Sequence, residues 1–165
     1  METTGRRYAP PKASAMLETL RGLGYSTATA LADVIDNSIA AHATTVEITF
    51  AWNFSASTIS VLDDGCGMTR DDALLAFERH ATSKLRTADD LLAISTLGFR
   101  GEALPSIASV ARVSLETATG EDRSGTRIEV AGGKMLHVDD AALPRGTTIA
   151  VADLFFNTPA RRKFL

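Results

Sequence analysis

Cysteine is almost missing from this chain: Cys66 stands alone among 165 residues. An internal disulfide is excluded, and without clustered Cys and His there is no zinc signature, so a reducing, cytoplasmic setting is the simplest expectation. A large excess of charge is missing too. With 17 Lys and Arg against 20 Asp and Glu, the net charge of −3 argues against a broad basic platform for nucleic acid. The local run Arg161-Arg162-Lys163 reads as a solvated terminus. No apolar run approaches the roughly 20 residues of a membrane span, and METTGRRYAPPKAS lacks the apolar core of a signal peptide. Internal repeats and low-complexity segments are also wanting.

What is present is enough for one domain, since a chain of this length buries roughly 70% of the surface its unfolded form exposes. Residues 1–12, polar and containing Pro10-Pro11, read as a flexible arm, and 13–165 as the domain. A short helix over 15–23 ends at Gly24. Ser26 then caps a second helix, TATALADVIDNSIAA, whose apolar arc of Leu31, Val34, Ile35 and Ile39 is the expected buried face. TTVEITFAW and STISVLDD alternate as neighbouring strands, with Trp52 as a packing residue and Cys66 as a small filler in the turn that follows.

Thr69 with Asp72, and Thr87 with Asp90, resemble capping boxes that open helices near 70–79 and 88–94, with RHATSKLR a loop between them. A short helix is expected over 102–109, although Pro105 confines it or restricts it to a first turn. ARVSLETA, GTRIEVAG, KMLHVDD and GTTIAVADLFF read as four late strands. The expected class is α+β, with helices packed on one face of a mostly antiparallel mixed sheet.

Three groups of residues carry chemistry. Asp33, Asp36, Asn37 and Ala40 share the side of the second helix opposite its apolar arc. Asn37 offers an oxygen suited to Mg²⁺, which leaves most of its octahedron to waters and phosphates, and Asp33 is placed to orient or deprotonate a water. The competing reading is a solvated helix face. Asp63-Asp64-Gly65-Cys66-Gly67 sits at a strand end, where a carboxylate can accept from an exocyclic amine and Gly65 and Gly67 permit close approach; the competing reading is an ordinary tight turn. In LGFRGEAL, Gly98 and Gly101 free backbone N–H groups ahead of a helix, a setting for phosphate. Neither a Walker pattern nor a Rossmann fingerprint occurs, so a nucleotide site would belong to another class.

Asp33-x-x-x-Asn37, Asp63-x-Gly65-x-Gly67, Gly98-Phe99-Arg100-Gly101-Glu102 and Gly146-Thr147-Thr148, in this order, resemble the GHKL ATPases. From Glu78 onward, RHATSK, STLGFRGEAL, GTT and DLFFNTPARRKFL resemble the MutL branch concerned with DNA mismatch repair. The resemblance implies a two-layer Bergerat sandwich that binds ATP and Mg²⁺ under a lid running over about 79–101. It makes Asp33 the catalytic base, Asn37 the Mg²⁺ ligand and Asp63 the reader of adenine. Thr147 would support adenine beside Asp63, Thr82, Ser83, Lys84, Arg100 and Gly101 would contact ribose and phosphates, and Gly65, Gly67, Met68, Leu97, Gly98 and Phe99 would belong to the same nucleotide site.

It further implies slow hydrolysis of ATP to ADP and phosphate, an ATP-dependent homodimer, and DNA or repair proteins as partners. The end of the chain falls where a second MutL domain would begin. Two features depart from the pattern. Asp33 stands where most GHKL ATPases carry Glu, which leaves a pseudoenzyme that only binds nucleotide as the alternative. Before Glu78 the chain is more like other GHKL ATP-binding proteins, as a chimera would be. Phosphotransfer of the histidine-kinase kind is disfavoured, because His42, His80 and His137 have no phosphoacceptor setting.

Overall fold

The computed structural model describes residues 26–53, 56–78 and 103–162. Its first element is helix α1 (Thr27–Ala40). Ser26 caps it as the sequence predicts, with its hydroxyl accepting the Thr29 N–H at 3.1 Å. Strands β1 (Val46–Ala51) and β2 (Thr58–Asp63) follow, then helix α2 (Arg70–Leu75). Thr69 opens α2 by accepting the Asp72 N–H while donating to the Asp72 carboxylate. Helix α3 (Ala103–Val110) precedes β3 (Arg112–Ala118), β4 (Gly125–Ala131), β5 (Lys134–Ala141) and β6 (Gly146–Ala152), and α4 (Pro159–Arg162) comes last. Pro105 is the third residue of α3, where its missing N–H would have had no intrahelical partner.

The strands form one sheet in the order β1-β2-β6-β3-β4-β5, and every pairing is antiparallel. The sheet is thus more uniform than the mixed one expected, within the same α+β class. Inserting the last strand between β2 and β3 joins the early hairpin to the later meander. Helix α1 packs on β2 and α3, α3 on β3 and β4, and α2 on β4. They cover the face that carries Val61, Val113, Leu115, Ile128, Val130 and Ile149, all buried. Arg112, Arg127 and Glu129, which alternate with these positions, are exposed on the other face.

Several expectations change. The buried stripe of α1 is Ala30, Val34 and Ser38 at strict i, i+4 spacing, while Ile39 is 63% exposed. The helix is therefore rolled toward Asp33 and Asn37, because Ser38 has a polar partner beneath it. Trp52 is no packing residue: it is 79% exposed and stacks on Phe50 at 6.0 Å. Cys66 is exposed rather than a filler. Helix α2 stops at Leu75, short of 79.

The segment DLFF does not continue β6. Asp153 and Phe155 take positive φ, +50° and +63°, which no strand accommodates. They turn the chain so that the Phe155 N–H donates to Val110 O and Asn157 Nδ2 donates to Ser109 O, clasping the end of α3. Arg112 completes the clasp by binding Asp153 and lying 4.9 Å over the Phe156 ring. Arg161, read as part of a solvated run, packs 5.2 Å over Phe155. The first helix, the Thr87 capping box, RHATSKLR and the start of LGFRGEAL lie outside the described residues.

Candidate functional site

Strand pairing sorts the inner face of the sheet into rows. Val61, Ile149, Leu115 and Ile128 are register partners across β2, β6, β3 and β4, and so form one apolar row. Two residues along each strand, Asp63, Thr147, Thr117 and Thr126 are partners in the same way, and Asp140 on β5 extends them. The first four of these side chains are all buried. A carboxylate and three threonines thus make a polar shelf at one end of an otherwise dry face. At its β5 end the shelf opens into a recess of about 370 Å³ lined by Thr69, Arg123 and Thr126, where Arg70 pairs with Asp140 at 2.7 Å.

Asp63 is held on both oxygens. Ser38 on α1 donates to Oδ2 at 2.7 Å, and the Gly65 N–H donates to Oδ1 at 3.0 Å. An ionised carboxylate has about four lone-pair sites, so acceptor capacity remains for an incoming donor. The Ser38 contact also fixes the roll of α1. Asn37 and Asp33 lie next to Ser38 and Val34, one step around the helix, at the border of the buried stripe. Asn37 is exposed and Asp33 half-buried, which corrects the reading that placed both squarely opposite the buried face.

The turn after β2 is tied down residue by residue. Asp64 accepts from the N–H groups of Thr44 and Thr45 and from the Thr44 hydroxyl. These bonds, led by the Thr44 hydroxyl, lower its pKa from 3.8 to about 2. The Cys66 N–H donates to Ala41 O at the end of α1, and Arg145 Nε donates to Gly65 O. The glycines make room for the protein itself. A Cβ on Gly65 would sit 2.8 Å from the Ala41 Cβ, and one on Gly67, at φ +70°, would sit 1.9 Å from Ala118 O. Met68 packs against the core and donates its N–H to Thr117 Oγ1 at 2.9 Å.

Asp63 and Thr147, far apart in the chain, are therefore direct neighbours, with Asn37 and Met68 one hydrogen-bonded residue away. Thr82, Ser83, Lys84, Leu97, Gly98, Phe99, Arg100 and Gly101 lie outside the described residues. Two buried residues were not singled out from the sequence. Ser38 completes the i, i+4 series begun by Ala30 and Val34, and Thr117 ends the alternation Val113, Leu115, Thr117. In each case a hydroxyl at the end of an apolar periodicity was the signal. Among the described residues no three His, Cys, Asp or Glu converge on a point, and no helix is long and apolar enough to cross a membrane.

Comparison with known proteins places this geometry. Residues 25–145 match the family model of the histidine kinase-, DNA gyrase B- and HSP90-like ATPases. The DNA mismatch repair protein MutL of Koribacter versatilis is 59% identical over 138 residues, 84% of this chain and 21% of that protein. MutL of Solibacter usitatus is 60% identical over the same shares. The chain thus spans about a fifth of the length of these relatives.

Because residues 78–165 are little more than half of the chain, a match over 84% extends far upstream of Glu78. One relative therefore spans both sides of Glu78, the boundary at which the sequence alone suggested a chimera. Among solved structures, the N-terminal domain of a DNA repair protein aligns with a TM-score of 0.63 at 31% identity, covering 82% of this chain and 38% of that one. The Aquifex aeolicus MutL ATPase domain complexed with ADP aligns at 0.57 and 30%, covering 83% and 46%. The chain belongs to the histidine kinase-, DNA gyrase B- and HSP90-like (GHKL) ATPase family and is closely related to the N-terminal ATPase region of MutL.

Proposed function

We propose that this domain binds ATP with Mg²⁺, hydrolyses it slowly to ADP and phosphate, and serves as a nucleotide-controlled switch. The observation that carries the reading is the buried Asp63 carboxylate, held by Ser38 and the Gly65 N–H, beside Thr147. A flat base with an exocyclic amine fits that shelf, because the amine donates and the Asp63 carboxylate accepts. Asn37, exposed at the rim of the same helix, is suited to Mg²⁺, which neutralises phosphate charge when bound. Asp33 is one turn away and acts as the base that orients or deprotonates the attacking water.

Turnover is slow on this reading, since Asp is one methylene shorter than the Glu usual at this point in the family. A gap of about 1 Å between base and water costs on the order of 10²-fold in rate. The segment over 79–101 supplies the lid, with Thr82, Ser83, Lys84, Arg100 and Gly101 on ribose and phosphates. ATP then favours a homodimer, and by kinship with MutL the downstream readers are DNA or mismatch repair proteins.

The test is steady-state ATP turnover by the purified chain with Mg²⁺, beside its Asp33→Ala and Asn37→Ala variants, together with calorimetric titration of ADP. Turnover is expected to vanish in both variants and ADP binding to survive in Asp33→Ala. Equal turnover in all three proteins overturns the assignment. A wild-type chain that binds no ADP at millimolar concentration overturns the nucleotide reading itself.

A further inference from the structure

We propose that Thr117 is a specificity-determining positioning residue, which sets the hydroxyl proton of Thr147 and so makes the base-reading shelf accept hydrogen bonds without donating any. The inference rests on the reading of this shelf as a nucleotide-base site and goes beyond it, to how adenine is told from guanine.

The argument is a count of protons. Thr117 Oγ1, 1% exposed, lies within hydrogen-bond distance of three groups: the Met68 N at 2.9 Å, Gly146 O at 3.0 Å and Thr147 Oγ1 at 3.0 Å. The Met68 N–H only donates and the Gly146 carbonyl only accepts, so all three bonds form together only when the single Thr117 proton goes to Gly146. In the third contact Thr117 is left with a lone pair, and Thr147 must donate. The proton of Thr147 therefore points along the shelf into the protein, and only lone pairs face a ligand. Asp63, the register partner of Thr147, likewise presents lone pairs, its two oxygens being already met by Ser38 and Gly65.

Two adjacent acceptors with no donor suit an exocyclic amine at the 6-position of a purine, directly or through a water. A purine seated in the same pose with a 6-carbonyl in place of the amine would bring that oxygen against lone pairs in a buried setting. A site built around a hydrogen bond rejects analogues that leave its buried groups unpaired by large factors. Replacing Thr117 by Val keeps the shape and removes the hydroxyl. Thr147 then loses its acceptor, and its freed proton turns toward the ligand, where it can donate to a carbonyl.

The experiment is calorimetric titration of ADP and of GDP, each with Mg²⁺, into the wild-type chain, Thr117→Val and Thr117→Ser, with a thermal melt to establish that each is folded. The wild type is expected to favour ADP by about 10²-fold or more. The ratio of GDP to ADP dissociation constants should fall about tenfold or more in Thr117→Val and stay within about twofold in Thr117→Ser, which keeps all three bonds. Loss of packing alone would weaken both nucleotides together and leave the ratio unchanged. That result in a folded Thr117→Val, or an equal fall in Thr117→Ser, overturns the proposal. Should Thr117→Val not fold, Thr117→Ser decides: a retained ratio supports the proposal and a tenfold fall overturns it. A wild type that binds both nucleotides equally sinks this inference alone, whereas one that binds neither sinks the nucleotide reading beneath it.

Discussion

The row Val61, Ile149, Leu115, Ile128 and the row Asp63, Thr147, Thr117, Thr126 lie two residues apart on the same four strands, under the same layer of helices. All eight residues are buried. The first row needs only volume, because dispersion and the removal of apolar surface from water have no direction. The second needs every donor to face an acceptor, and a single misdirected proton changes what it can bind. The strand ends next to the 64–69 turn carry the polar row, so one step of the pleat separates a part that holds the fold from the part proposed to read a ligand.

The comparison breaks most visibly in the apolar row. Ile128, fully buried against Leu115, is expected to cost about 2–5 kcal/mol of folding stability when cut to Ala. Urea denaturation measures it. The fraction of molecules still folded should bind ADP as the wild type does, and a tenfold loss of affinity in that fraction would show that the two rows are not separable.

A smaller effect, spread over both properties, is expected at the seam between the rows. Gly146 begins β6 at φ +128°, and a Cβ there would stand 2.1 Å from Asp63 O. Only glycine allows β6 to approach β2 at the level where Thr147 meets Asp63. Gly146→Ala should cost about 1–3 kcal/mol through backbone strain and loosen ADP binding at the same time. A melt combined with titration checks it, and an unchanged affinity would place the reading function away from this pair.

Much of this division is legible in the sequence, and what is not has a physical cause. The strands announce themselves by alternation, and Asp63 by its place before glycines. The proximity of Asp63 to Thr147 comes from β6 pairing with β2 across more than eighty residues, and only resemblance to a family signals it beforehand. Hydrophobicity alone misplaces the face of α1, since it counts Ile39 as core and Ser38 as surface. A buried serine is worth its position only when its partner, here Asp63, is known. The end of β6 escapes for the opposite reason. Asp-Leu-Phe-Phe looks like strand by composition, but the clasp on α3 imposes two left-handed residues, one of them Phe155, a bulky type that disfavours that conformation.

The smallest effect separates two neighbouring carboxylates. Asp63 faces the shelf, whereas Asp64, exposed, ties the turn to the start of β1 through Thr44 and Thr45. Those bonds favour the ionised form and bring its pKa to about 2 from 3.8. A carboxyl group with a depressed folded-state pKa stabilises the fold fully above its unfolded value and loses that contribution as pH falls through its folded value. The window for Asp64 is therefore about pH 4 to 2. Asp64→Asn carries no titrating group there, so its melting temperature should fall less steeply than that of the wild type across this window, with the two differing by a constant offset above it. Parallel curves through the window would mean that the turn is held by its backbone bonds, such as Cys66 N–H to Ala41 O, and that the charge on Asp64 adds nothing to them.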